Sequence, residues 1–196
     1  MARLNDPDAV AREYASEAGL TARRSLYESL DGPDVKDELL HAVLARPPGR
    51  VLEVGDIQAL PFGAGEFDCV IAAWMLYHVP DLDRELSEVA RVLRPGGRLI
   101  AATNSDRRLD ELWTLVGAEH RELPFSAENG AGALRRHFAA VETSRIEAWV
   151  TLADSAMARD YIGRSPSRSD LATQVPQLPA PLHAGARTCI FVATKG

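Results

Sequence analysis

The chain predicts an α/β fold with a mostly parallel sheet, and three observations carry that prediction. Apolar runs at 51–55, 67–76 and 98–103 have the near-continuous hydrophobic character of strands buried on both faces. Between the second and third runs lies the clearest helical pattern, with Leu82, Leu86, Val89 and Leu93 on one face. The 196 residues are 46% hydrophobic, enough to bury one core without disulfides. Strands alternating with helices in this way build parallel sheets.

Taken in order, residues 6–46 read as helix-rich. Asp6-Pro7 supplies an N-cap and a proline at the first helical position, and Gly19 interrupts the helix after Ala18. A second helix is expected over 21–30. A third, over 33–45, carries Val35, Leu39, Leu40 and Val43 on one face and ends at Pro47-Pro48-Gly49. A strand at 50–55, a loop at 56–66 and a strand at 67–76 follow. In the helix that opens at Asp81, the acids Asp81, Asp83 and Glu85 fill the first turn. Arg91 and Arg94 fill the last, as the helix dipole favours. Pro95-Gly96-Gly97 is expected to stop it and lead into the strand at 98–103. The remainder predicts helices over 106–122 and 129–138, a strand over 140–150 and a short helix over 155–162. A surface loop over 163–186 and a closing strand over 188–194 complete it.

The formal net charge of −6, with a pI near 5.4, is the opposite of a nucleic-acid binder's balance, so no nucleic-acid partner is expected. No apolar run approaches the ~20 residues that span a bilayer, and the N-terminus lacks a signal-peptide core. A cytoplasmic protein without membrane contact is the expectation. Cys69 and Cys189 lie far apart inside apolar runs and read as buried thiols. The five histidines are scattered without metal-ligand spacing, and no nucleophile elbow is present. The arginines at 159–168 read as a solvated loop, or else as charges that steer an anionic substrate.

In open parallel sheets ligands bind beyond the carboxyl ends of the strands. That directs attention to residues 53–55, 73–78 and 103–104. Here the sequence becomes recognisable. Arg50-VLEVG, Asp56-IQALPF and the stretch from Phe67-DCVIAAW through LRPGG to Thr103 resemble the class I S-adenosylmethionine-dependent methyltransferases. The likeness is to the small-molecule branch related to ubiquinone biosynthesis, and it runs over roughly residues 49–104. The resemblance implies a Rossmann-like sheet, mostly parallel with an antiparallel C-terminal strand. It implies S-adenosylmethionine as cofactor, held by Glu53, Val54, Gly55, Asp56, Ile57, Ala73, Trp74 and His78. Glu53 and Gly55 match the start of the glycine-rich loop, and Asp56-Ile57 the pair that meets the adenine. Ala73-Trp74 match the strand end whose carbonyls meet the ammonium group. His78 is the candidate base, or else a structural histidine that caps the loop. Tyr14, on an N-terminal lid, is a candidate catalytic residue or a packing tyrosine.

The resemblance breaks between Gly55 and Asp56. Relatives carry there the rest of the glycine loop, a strand whose terminal acid binds the ribose, and two helices with a further strand. At about 30 residues per βαβ unit the deficit is about 40–60 residues. Either that segment has been omitted at the junction or it is truly deleted; the intact flanks favour the first. As written, the strands on either side would be adjacent and parallel, leaving one sheet face bare.

The expectation is therefore a single methyltransferase-like domain over 1–196, a helical lid at 1–48 and an α/β core at 49–196, monomeric or homodimeric, lacking two strand–helix units. It would pass a methyl group from S-adenosylmethionine to a small molecule, with no metal. The competing expectation is a non-catalytic binding or assembly domain that has lost the cofactor loop.

Overall fold

The structure, a computed structural model, describes residues 30–54, 60–165 and 168–196. The expected helix over 7–18, nearly all of that over 21–30, Tyr14 and the Gly55-Asp56-Ile57 junction lie outside the described residues. In chain order the elements are β1 (Leu30–Asp31), α1 (Val35–Leu44), β2 (Val51–Glu53) and β3 (Phe67–Ala73). A 3-10 turn (Leu76–His78), α2 (Leu82–Val92), β4 (Leu93–Asn104), α3 (Asp110–Leu115) and α4 (Gly130–Leu134) follow. The last elements are β5 (Ala140–Leu152), α5 (Ser155–Gly163), a 3-10 turn (Ser169–Gln174) and β6 (Leu182–Thr194). Hydrogen bonding orders the strands β1-β5-β6-β4-β3-β2 in a mixed sheet. β3 is parallel to both β2 and β4, and β6 runs antiparallel to β4.

The chain divides into two compact units. The larger comprises residues 34–106, 122–146 and 188–196. Here the strand residues alternate between two buried clusters, as a sheet covered on both faces requires. From β4, Leu99 and Ala101 join Phe125, Leu86 and Val89, whereas Ile100 and Ala102 join Val35, Cys69 and Ile190. α2 forms as the periodicity predicts, and the Asp81 carboxylate caps it by accepting from the Arg84 N–H at 3.2 Å. α1 is closed differently. The buried Arg98 donates to the carbonyls of Ala42, Val43 and Arg46 at its C-terminal end, which satisfies acceptors the helix leaves open. Cys69 and Cys189 are buried free thiols, and burial pushes Cys189 up to about 11.

Pro95-Gly96-Gly97 does not stop α2. The helix ends at Val92, Arg94 falls outside its last turn, and β4 starts at Leu93 opposite Phe67. The next pairing sets Cys69 against Arg98, so Arg94 and the Pro95-Gly96-Gly97 that follows it bulge out of an already paired strand. Gly96 sits at φ 72°, and a Cβ on Gly97 would lie 2.8 Å from the Arg94 carbonyl oxygen. The bulge needs both glycines.

The smaller unit comprises the described residues 30–33, 107–121, 147–165 and 168–187. β1 pairs antiparallel with the second half of β5, Leu30 opposite Val150. Its core is built on Leu109, Leu112, Val150, Leu152 and Ile162. Five expectations about element bounds are corrected in the two units. The helix expected over 106–122 is only Asp110–Leu115, because Leu109 at φ 56° and Gly117 at φ 62° stand outside helical space at either end. The helix expected over 129–138 is only Gly130–Leu134, followed by hydrogen-bonded turns to Phe138. β6 begins six residues before the expected 188, inside the supposed loop: the Gly185 carbonyl accepts from the Leu109 N–H at 2.8 Å, and Ala184 and Ala186 are buried. β5 extends to Leu152, and β3 stops at Ala73 rather than 76.

Candidate functional site

The carboxyl ends of three neighbouring strands meet in the larger unit. β2 ends at Glu53, opposite Ile71, and the Val54 N–H extends the ladder by donating to the Ile71 carbonyl at 3.0 Å. Val54 is buried and Glu53 is exposed. β3 ends at Ala73, and the chain then turns sharply. Trp74 stands at φ 53°, in the left-handed region, with its N–H donating to the Ala102 carbonyl of β4 at 2.8 Å. A side chain there costs about 1–2 kcal/mol, and such strain concentrates at ligand sites. The Trp74 ring packs partly buried against the Cys69, Ile100 and Ala102 cluster. The following turn is anchored by the fully buried Leu76 and closed by the His78 N–H on the Met75 carbonyl at 2.9 Å. The half-buried Tyr77 and His78 rings lie 4.4 Å apart.

β4 ends at Asn104, where successive side chains behave differently. Thr103 donates to the Phe125 carbonyl at 2.8 Å, and Ser105 to Glu128 at 2.6 Å. Between them the Asn104 Oδ1 is buried without a hydrogen-bond partner. Burial pushes Glu128 up, but hydrogen bonds from Ser105, the Asp106 N–H and Ser126 outweigh it and hold the carboxyl below its ordinary range. Asp106 accepts from the Leu123 N–H at 2.7 Å and from the Ser126 hydroxyl at 3.2 Å. The loop beyond β4 is thus tied down by its own polar groups.

Of the residues expected at the site, the parallel β2–β3 pairing sets Glu53 opposite Ile71, two residues before Ala73 and three before Trp74. Gly55, Asp56, Ile57 and Tyr14 lie outside the described residues. Asn104 lies at the carboxyl end of β4, but nothing in the sequence marks its oxygen as unpartnered. Neither does anything mark Trp74 for positive φ, since tryptophan is an unusual choice there. Among the described residues no three His, Cys, Asp or Glu side chains are grouped to hold a metal, and no helix is long and apolar enough to cross a membrane. The smaller unit has an open cleft of about 490 Å³ lined by Arg107, Asp110, Glu111, Thr114 and Arg187. Two of its charges pair with each other, Glu111 accepting from Arg187 at 2.7 Å and from the Gly185 N–H at 2.9 Å.

A six-stranded mixed sheet with a strained turn at the carboxyl end of β3 defines a Rossmann-like methyltransferase fold. The solved methyltransferase of Thermotoga maritima described as a possible histamine N-methyltransferase matches 95% of this chain and 99% of its own. The TM-score is 0.54 and the identity 17%. A Haemonchus contortus phosphoethanolamine N-methyltransferase, solved with phosphomonomethylethanolamine and S-adenosylhomocysteine, matches all of this chain and 60% of its own, with TM-score 0.52 and 12% identity. At the sequence level, residues 14–101 match the family described as a methyltransferase domain. The ubiquinone/menaquinone C-methyltransferase of Hahella chejuensis is 56% identical over 43 residues, 22% of this chain and 17% of its own. The ubiquinone O-methyltransferase of Coxiella burnetii is 30% identical over 93 residues, 45% of this chain and 40% of its own. Residues 14–101 are thus similar to S-adenosylmethionine-dependent methyltransferase domains, and the relatives that share this stretch include ubiquinone methyltransferases. It spans 40% or less of the length of the curated relatives named here.

The residues present fit that class's cofactor in part. The strand ends expected at its amino-acid portion are built, and the Trp74 turn opens the backbone there. Among the described residues no strand lies beyond β2, the sheet's edge strand, to supply a carboxylate for the ribose.

Proposed function

We propose that this chain transfers a methyl group from S-adenosylmethionine to a small-molecule acceptor. The observation that carries the proposal is the left-handed Trp74, set between the ends of β3 and β4 beside the end of β2. When bound, the cofactor supplies an electrophilic sulfonium methyl; the protein's work is orientation and exclusion of water. The main-chain carbonyls at Ala73 and Trp74 would hold the cofactor's ammonium group, with Glu53 as its acidic partner. Asp56 and Ile57 would hold the adenine. His78, on its short anchored turn, takes the acceptor's proton where the acceptor must lose one. Tyr14 is the second candidate catalytic residue. The chain is read as a single domain, with a helical lid at 1–48 and an α/β core at 49–196. The protein is placed in the cytoplasm, as a monomer or homodimer.

Isothermal titration of S-adenosylhomocysteine into the full chain tests this. One saturable site is expected, weakened about tenfold in Glu53→Ala by loss of a charge-assisted hydrogen bond. Absence of saturable heat overturns the proposal and leaves the non-catalytic binding domain as the reading.

A further inference from the structure

Two arginines are almost fully buried, and neither makes an ion pair among the described residues. Arg98 is 6% exposed, and its two terminal nitrogens reach three carbonyls at the end of α1. Arg168 is 7% exposed and far less satisfied. Its Nη2 donates to the Glu119 carbonyl at 3.0 Å, and its guanidinium lies 4.6 Å over the Trp113 ring. Its Nε is buried and has no hydrogen-bond partner. The sequence had placed this arginine in a solvated loop.

A guanidinium taken out of water without a counter-charge costs several kcal/mol, and a single carbonyl with one aromatic face does not offset that. The surroundings add positive charge instead of removing it: burial lowers the Arg168 pKa, and the charge of Arg121 lowers it further. The rim is reachable, since Trp113 and Arg121 are half-buried and Glu119 is exposed. Stacking on Trp113 fixes the plane of the fork, and a fixed fork with an unused N–H matches a carboxylate or a phosphate.

We propose that Arg168 is the floor of an oxyanion-binding site in the smaller unit, formed with Trp113 and Arg121, which takes the carboxylate or phosphate group of a small molecule. The site is built from residues of the smaller unit alone and does not depend on methyl transfer.

The test is the melting midpoint of the full chain in sodium chloride, sodium acetate and inorganic phosphate at matched ionic strength. Acetate, phosphate or both raise the midpoint above its chloride value, because a ligand that binds only the folded state stabilises it. A rise confined to one anion assigns the carboxylate or the phosphoryl group accordingly. Arg168→Met abolishes the rise and melts in chloride at or above the wild-type midpoint, since an uncompensated buried charge has been removed. Equal midpoints in all three salts, or a rise that survives Arg168→Met, overturn the proposal. Where Arg168→Met does not fold, titration of the same two anions into Arg168→Lys decides. Binding about tenfold weaker is expected from loss of the fork, and unchanged binding overturns it.

Discussion

Trp74 and Ala102 are joined by a 2.8 Å hydrogen bond from the tryptophan N–H to the alanine carbonyl, made while Trp74 holds φ at 53°. This bond ties the strained turn to the central strand, so the turn cannot relax without breaking the ladder. Trp74→Gly should therefore be more stable than Trp74→Ala by about 1 kcal/mol, since both lose the ring but only glycine loses the strain. Urea denaturation of the pair measures it, and alanine equal to or better than glycine would refute the strain.

Arg98 gives the converse of Arg168. Arg98→Met leaves the Ala42, Val43 and Arg46 carbonyls without their donor, and should cost about 1–3 kcal/mol. The same substitution at the two buried arginines thus has opposite expected signs. Denaturation midpoints for both variants in chloride show whether the local acceptor count governs the outcome.

Gly97→Ala forces a methyl to within 2.8 Å of the Arg94 carbonyl oxygen and 3.2 Å of that of Phe67. Both are backbone atoms of the bulge, so neither can swing away. A loss of about 1–3 kcal/mol is expected, as for overpacking in a well-filled core. Gly132→Ala, where a Cβ meets nothing within 4 Å, is the control and should not destabilise. Equal midpoints for the two variants would remove the bulge from the account of this motif.

Glu111 sets an acid limit on the smaller unit. Burial raises its pKa, but the Gly185 N–H and Arg187 outweigh burial and hold the folded carboxyl below its ordinary range. A depressed folded pKa means that its stabilisation is complete above the unfolded value, near 4.5, and is lost as pH falls through the folded value. Glu111→Gln should lower stability at pH 7 and flatten its decline below that point. An unchanged slope in denaturant midpoints between pH 5 and pH 3, about the range over which carboxylates titrate, would show that the group contributes nothing.

At the Gly55–Asp56 junction, inserting the two strand–helix units that relatives carry should raise affinity for S-adenosylhomocysteine at least about tenfold. A strand-terminal carboxylate would then meet the ribose hydroxyls through charge-assisted hydrogen bonds. Calorimetry on the two chains measures the ratio, and equal affinities would mean that those two units are not what limits binding.

The sequence by itself determined the class of fold, the order of the main strands, the helix that opens at Asp81 and the strand ends that bound the site. These features rest on periodicity and burial, which are local and repeat along the chain. It also placed β2 beside β3. Only the tertiary structure decided what depends on distant partners. The Gly185 carbonyl meets the Leu109 N–H, so the stretch Leu-His-Ala-Gly-Ala-Arg, with no β-branched residue, becomes the start of β6. Phe67 pairs with Leu93 and Cys69 with Arg98, so Pro95-Gly96-Gly97 becomes a bulge and not a helix stop. The left-handed Trp74, the unpartnered Asn104 oxygen and the buried Arg168 leave no mark in the pattern of apolar and polar residues. Each depends on which main-chain groups arrive from elsewhere to satisfy a donor or an acceptor, and a one-dimensional pattern does not record that.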